Sequence, residues 1–322
     1  MVQIGYLWHQ TNCYQHMSRR LKDYLVISLK GMAMGAADVV PGVSGGTIAF
    51  ISGIYEELIE SINKVNLNTF KILKNDGINA MWKSINGNFL ISLLIGIAIS
   101  VVSLAKIIRH LLETQPILIW SFFFGLVLAS IIYVGNQIKS WRLINIIFLI
   151  LGAFVAYYIT TLSPQTTNIS YPYIFLSGAL AICAMILPGI SGSYILLLLG
   201  MYKPVLDAIH EKDFKIIGTL MLGAIVGLLS FSRILKWLFD HYQNLTLATL
   251  TGFIIGSLNK IWPWKEVLES EIINGKLKII QEKSVSPLNY NGDNQIYLAI
   301  LFAVLGFLFI LFLEKLADVK KE

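Results

Sequence analysis

The sequence predicts an all-α polytopic membrane protein built as an inverted-topology repeat, each half a re-entrant helical hairpin followed by three transmembrane helices. Three observations predict it. The 322-residue chain is 56% hydrophobic and only 14% charged, with a mean hydropathy of +0.68, well above the range of a soluble domain. Six apolar runs, at about 89–112, 117–135, 143–161, 216–238, 246–262 and 296–313, each approach the roughly 20 residues that a helix needs to cross hydrocarbon. The third observation is a proline–glycine break that occurs twice, in stretches that hydropathy would otherwise carry into the membrane. A transmembrane barrel would instead show alternating segments of about ten residues, and none is present in the sequence.

In chain order, residues 1–22 read as an N-terminal cytoplasmic segment, within which Met17, followed by Ser18, Arg19 and Arg20, would also serve as a start. No cleavable signal is predicted, because Lys30 interrupts the apolar stretch and no clear small-residue cleavage site follows it. Repeat 1 covers 23–161, with a re-entrant hairpin at 27–60, an amphipathic linker at 61–88 and the first three spans. Repeat 2 covers 174–315, with a hairpin at 174–207 and the last three spans.

The halves are matched by their breaks. "ADVVPGVSGGTIAFISGIYEEL" at 36–57 aligns with "ILPGISGSYILLLLGMY" at 186–202 at an offset of 147, pairing Pro41 with Pro188, Gly42 with Gly189, Ser44 with Ser191, Gly45 with Gly192, Gly53 with Gly200 and Tyr55 with Tyr202. A weaker echo at an offset of 127 pairs Gly96 with Gly223, Ser103 with Ser230, Lys106 with Arg233 and Gly125 with Gly252. Such internal symmetry between broken membrane segments points to transport, with a site near the midplane where the repeats meet.

Charge sets the predicted orientation. If 27–60 crossed the membrane once, Arg19, Arg20, Lys22 and Lys30 would lie opposite Lys64, Lys71, Lys74 and Lys83, against the cytoplasmic bias of Lys and Arg. A hairpin that enters and leaves by one face keeps both tracts cytoplasmic. It also places Lys139, Arg142, Lys315, Lys320 and Lys321 inside, so both termini are expected in the cytoplasm. The uncharged loop 162–172 and the charge-balanced loops 203–215 and 263–295 then lie outside. Three spans separate the hairpins, an odd number, so the second enters from the opposite face and the halves are inverted.

Proline disfavours helical geometry in the residue before it, and Gly42, Gly45 and Gly46 permit a tight turn. A new half-helix is expected near Ser44–Thr47, with Ser44 as its N-cap. Its free N–H groups would face the membrane middle and suit an anion; Ser191, Gly192 and Ser193 offer the same from the other side. Glycine packing alone would be a simpler account of the breaks, yet packing does not call for proline and serine duplicated in register. It does suffice for the stripe Gly96, Ser100, Ser103 and its counterpart Gly223, Gly227, Ser230. Lys106 and Arg233 are candidate charges for an anion, against the alternative that they snorkel to the nearest interface. Asp38, one turn before Pro41, is too short to snorkel and is either a coupling group or a local partner for backbone N–H groups. Glu57 is a second candidate for coupling, although Glu56 and Glu57 also fit the interfacial end of the hairpin.

The duplicated PG(V/I)SG motif, in "GMAMGAADVVPGVSGGTIAFISGIYEELI" and "LPGISGSYILLLLGMY", resembles that of the PopT-type polyprenyl-phosphate translocases, a bacterial membrane family formerly known only as a domain of unknown function. The resemblance covers about residues 20–315. It implies a flippase in the bacterial cytoplasmic membrane that returns undecaprenyl phosphate, the carrier lipid of cell-wall synthesis, from the outer to the inner leaflet. It carries over to Asp38, Pro41, Gly42, Ser44, Gly45, Gly46 and Thr47, and to Pro188, Gly189, Ser191 and Gly192. Ser193 stands where the first motif has Gly46, and Met185 where it has Asp38. The expected partners are therefore a polyprenyl phosphate and the surrounding bilayer lipids.

Other classes are excluded or set aside. The net charge of +6 lies in short tracts beside spans, which orientation explains without nucleic acid. Cys13 and Cys183 lie far apart, and His9, His16, His110, His210 and His241 form no ligand spacing. No metal, no cofactor and no enzymatic activity is expected, since a lipid phosphatase would need a nucleophile paired with a base or a metal cluster. A secondary transporter of a small soluble anion is the alternative, because it would use the same broken hairpins.

Overall fold

The computed structural model describes residues 19–40, 43–163, 169–273 and 276–318. The chain is a multi-pass membrane protein. Among the described residues, four helices are long and apolar enough to cross a bilayer, and a bent pair at Gly192–Leu198 and Tyr202–Glu211 makes a fifth candidate. The first segment contains α1 (Leu21–Val39), α2 (Gly45–Ile51), α3 (Tyr55–Asn63) and α4 (Leu67–Ser84); α5 (Gly87–Thr114), α6 (Pro116–Asn136) and α7 (Leu143–Thr161) follow. The second contains α8 (Tyr171–Ile186), α9 (Gly192–Leu198), α10 (Tyr202–Glu211), α11 (Phe214–Ser257), β1 (Lys265–Ile273), β2 (Lys276–Ser284) and α12 (Ile296–Asp318).

The expected spans 216–238 and 246–262 lie on one helix, α11, which carries a non-helical residue at Tyr242 (φ −135°, ψ 45°). The polar run Asp240–Asn244 turns the chain with that single residue instead of a loop. The helical fold class holds, with one addition: β1 and β2 pair antiparallel within the stretch read as a loop at 263–295. Asn274 and Gly275 between two runs containing Val and Ile are the sequence signal for that hairpin.

Both broken segments fold back on themselves through nested contacts. In the first, Asp38 accepts the Gly45 N–H at 2.7 Å, Lys30 Nζ donates to the Ser52 carbonyl at 2.5 Å, and Arg19 pairs with both carboxylate oxygens of Glu57 at 2.7 and 2.8 Å. In the second, a Cβ on Gly192 would meet the Ala181 carbonyl oxygen at 2.6 Å, and the Tyr173 hydroxyl donates to the Leu199 carbonyl at 2.8 Å. The carbonyls of Ser52 and Leu199 are thus equivalent acceptors, 147 residues apart. Each short helix ends in the same cap. Gly53 (φ 70°) and Gly200 (φ 66°) follow α2 and α9, and the next amides, Ile54 and Met201, reach back five residues to Ala49 and Leu196 at 3.0 and 2.8 Å, the Schellman pattern that a left-handed glycine allows.

The longer helices pair by glycine. α1 lies along α5, where the Gly31 backbone abuts Leu93 and Gly96 abuts Ser28; α8 lies along α11, where Gly178 abuts Leu220 and Gly223 abuts Phe175. These contacts superpose under offsets of 147 and 127. α6 packs on α12, with Gly125 against Ala303 and Gly306 against Phe122, while α7 packs on the second part of α11, with Gly252 against Leu149 and Gly152 against Thr249. The third helix of each predicted half therefore leans on the second helix of the other. At these crossings a side chain would strike backbone, which is how small residues bring membrane helices close.

The β-hairpin is fastened by a charged cluster. Lys260, just beyond α11, and Lys265 on β1 both reach Glu282 Oε1 on β2 at 3.0 Å. Lys265 Nζ also donates to the Lys260 carbonyl at 2.6 Å and sits 3.7 Å from the Trp120 ring centroid, and Lys260 lies 4.6 Å from the Tyr194 ring. Burial pulls the Lys265 amine down to about 8, with Glu282 partly opposing it. Burial acts to raise the Glu282 carboxyl, but Lys265 and Lys260 outweigh it and hold that acid below its ordinary value.

Two outcomes are expected. Gly125→Ala and Gly252→Ala should each destabilise by about 1–3 kcal/mol, as overpacking does, and lower the thermal midpoint of the detergent-solubilised protein. Gly218→Ala, where a Cβ meets nothing, should be neutral or stabilising. For Lys265, a folded value near 8 against an ordinary 10.5 means that the folded protein binds fewer protons between those limits. Stability should therefore rise with pH across that window, and Lys265→Met should flatten the rise in thermal scans.

Candidate functional site

The residues that flank the two breaks have similar backbone angles. Val40, which precedes Pro41, leaves the helix at φ −86°, ψ 117°, and Leu187, which precedes Pro188, leaves at φ −65°, ψ 131°, as the steric demand of a following proline requires. Ser44 and Ser191 are both extended, at φ −115°, ψ 132° and φ −95°, ψ 131°. Pro41 and Gly42 lie outside the described residues.

Their side chains differ. Ser44 caps α2, its Oγ accepting the Gly46 N–H at 3.1 Å, while Asp38 takes the Gly45 N–H. A Cβ on Gly45 would collide with the Asp38 carboxyl, and one on Gly46 would lie 2.5 Å from the Ile186 carbonyl oxygen. The Ser191 hydroxyl does not cap α9; it pairs with the Ser193 hydroxyl at 2.9 Å. Ser193 is exposed, whereas Ser44 and Thr47 are each 1% exposed.

The breaks meet directly. Thr47 Oγ1 accepts the Gly189 N–H at 2.9 Å, and Ser44 Oγ lies 3.2 Å from the carbonyl oxygens of both Met185 and Leu187. Gly189 is held at φ 90°, where a Cβ would press on the Phe253 carbonyl oxygen at 2.8 Å and Ser257 Oγ at 3.0 Å of α11. The junction thus gathers Asp38, Ser44, Gly45, Gly46, Thr47 and Gly189 into one buried polar knot. The Met185 and Leu187 carbonyls are members that sequence reasoning did not name; backbone acceptors leave no mark in residue type.

The remaining candidates lie elsewhere. Lys106 on α5 and Arg233 on α11 are exposed. Neighbouring Ser103 and Ser230 bond to carbonyls of their own helices, Ile99 and Val226. Glu57 is held at the opposite end of the first hairpin from Asp38 by the bidentate Arg19 pair and by Asn86 Nδ2 at 2.7 Å, and Arg19 stacks 5.7 Å from the Phe89 ring. The hydrogen bonds that Arg19 donates to Glu57 raise the affinity of Arg19 for its proton, so this pair is a fixed ionic clasp. Among the described residues, no group of three or more His, Cys, Asp or Glu side chains could hold a metal. Chemically, the junction offers hydroxyls, backbone N–H groups and one carboxylic acid, a set suited to binding an anion or a proton.

A polyprenyl-phosphate transporter from Vibrio cholerae is 47% identical over 307 residues, covering 94% of this chain and all of that protein. A polyprenyl-phosphate transporter from Staphylococcus aureus is 33% identical over 253 residues, covering 73% of this chain and 85% of the relative. No solved structure matches. The family model described as undecaprenyl phosphate translocase-like matches residues 34–278, a stretch that runs from the end of α1 through both breaks to β2. With both proline–glycine breaks inside that match, this chain belongs to the undecaprenyl phosphate translocase-like family.

Proposed function

We propose that this protein is a flippase that returns undecaprenyl phosphate from the outer to the cytoplasmic leaflet of the bacterial cytoplasmic membrane for reuse in cell-wall precursor synthesis. The observation that carries this reading is the hydrogen-bonded junction of the two breaks, from Thr47 to Gly189 and from Ser44 to Met185 and Leu187. A phosphate stripped of water is costly in hydrocarbon, and this junction is the place where polar groups from both halves can replace its hydration. The polyprenyl chain would stay in lipid.

The proposed architecture is an inverted repeat of two re-entrant hairpins, each followed by three spans, with both termini in the cytoplasm. The glycine contacts that recur at offsets of 147 and 127 support the repeat, and the nested contacts of each broken segment support the hairpins. In the proposed site, Ser44, Gly45, Gly46 and Thr47 act with Ser191, Gly192 and Ser193 on the headgroup. Since Ser44 and Thr47 are buried, the headgroup reaches them only after their bonds to the second break open. Lys106 and Arg233, exposed on α5 and α11, would attract the phosphate along the outside of the bundle.

Inward movement of an anion opposes a negative-inside potential by about 2.3 kcal/mol per charge per 100 mV, so coupling to a proton or cation is expected. Asp38 is the proposed coupling group. As a carboxylate it already satisfies the Gly45 N–H, and a proton on it would free that donor for phosphate.

Leaflet-resolved flipping of undecaprenyl phosphate by purified protein in liposomes tests the reading. Thr47→Val should orphan the buried Gly189 N–H, costing about 1–3 kcal/mol, and slow flipping at least tenfold, while Thr47→Ser should retain most of it. Asp38→Asn should slow flipping and remove its dependence on a proton gradient. Wild-type rates in both variants would rule out the junction as the transport site.

A further inference from the structure

The cluster that fastens the β-hairpin has one more positive charge than its structural task requires. Lys260 and Lys265 share a single carboxylate oxygen of Glu282. Among the described side chains, this leaves one ammonium charge without a counter-ion. Such a charge is costly where water is scarce unless an anion visits. The Lys265 side chain is 8% exposed and that of Lys260 15%, so Lys260 is the open member and Lys265 the anchored one.

The position of the cluster gives the charge a direction. Lys260 lies over the ring of Tyr194, which belongs to α9, the short helix that opens with Gly192 and Ser193 directly after the second break. The Tyr194 hydroxyl donates to the Ile159 and Thr160 carbonyls at the end of α7, and Asn259 Nδ2 donates to Thr160 Oγ1 at 3.0 Å. The ends of α7, α9 and α11 and the base of the β-hairpin are thereby tied around the two amines. Each amine also faces a ring, Lys265 that of Trp120 at 3.7 Å and Lys260 that of Tyr194 at 4.6 Å. Ammonium groups set against aromatic faces suit a ligand that is anionic at one end and apolar at the other.

We propose that Lys260 and Lys265 form an anion-receiving station that takes the phosphate monoester of a lipid headgroup at the mouth of the second hairpin, before it reaches Ser191 and Ser193. The station rests on the transport reading for the identity of its ligand and adds a binding site outside the junction. Glu282 has two tasks there: it holds the amines together, and it keeps their net charge low enough for the anion to leave again.

The test uses full-length purified protein at pH 7 and follows tryptophan fluorescence during titration with a short-chain polyprenyl phosphate, then with inorganic phosphate. Wild type should saturate. Lys260→Met should weaken binding at least tenfold, Glu282→Gln should tighten it severalfold, and Lys283→Gln, an exposed charge on the same strand, should leave it unchanged. A purely structural ion-pair cluster predicts no tightening in Glu282→Gln. Unchanged affinity in Lys260→Met, or weaker affinity in a folded Glu282→Gln, would overturn the proposal. Should Glu282→Gln not fold, acetylation of Lys260 in wild type decides: protection by the lipid phosphate supports the station, and equal labelling with and without it overturns it. Competition by inorganic phosphate would assign recognition to the headgroup alone, and competition by the lipid only would assign it to headgroup and chain together; either supports the station. Binding with this pattern in a protein that flips no lipid would overturn the transport reading and leave the station standing.

Discussion

Backbone that leaves its helix inside an apolar medium has to find hydrogen-bond partners within the protein, and the two breaks find many of theirs in each other. Thr47 takes the Gly189 N–H, and Ser44 faces the Met185 and Leu187 carbonyls. The glycines follow from that demand. A side chain at Gly46 would strike the Ile186 carbonyl, and one at Gly189 would strike α11. The long helices then serve to hold two short ones, α2 and α9, with their first residues at one junction.

The parts of this arrangement that were legible in the sequence are those with a steric cause. Pro41 and Pro188 mark where Val40 and Leu187 become extended, and Ser44 marks the cap of α2; Gly53 and Gly200 were legible as a matched pair, and the structure adds that they are the left-handed ends of the two short helices. The paired glycines were legible as a packing stripe. What sequence could not supply was the choice of partner. Ser191 matches Ser44 in register but turns to Ser193 instead of capping its helix. Glu57 reads as a coupling candidate or an interfacial acid until Arg19 and Asn86 are seen to hold it. The β-hairpin was missed because an expectation of helices leaves no place for alternation in a loop, even with Asn-Gly at its centre.

The surroundings of the two broken segments are built by different means. Near the start of α1, a bidentate Arg19–Glu57 pair and a ring contact to Phe89 close the first hairpin. Beyond α11, two lysines and one glutamate fasten the β-strands beside Tyr194 of α9. The first cluster is balanced in charge and the second is not. The duplicated motif therefore sits among unequal electrostatics in its two copies.

The crossed packing of the third helices bears on how the protein is made. When α6 and α7 first enter the membrane, the surfaces they will cover, on α12 and on the second part of α11, have not yet been synthesised. The groove at Gly152 must face lipid until the second part of α11 arrives, and that at Gly125 until α12 does, so neither half packs as a finished unit before α12 is made.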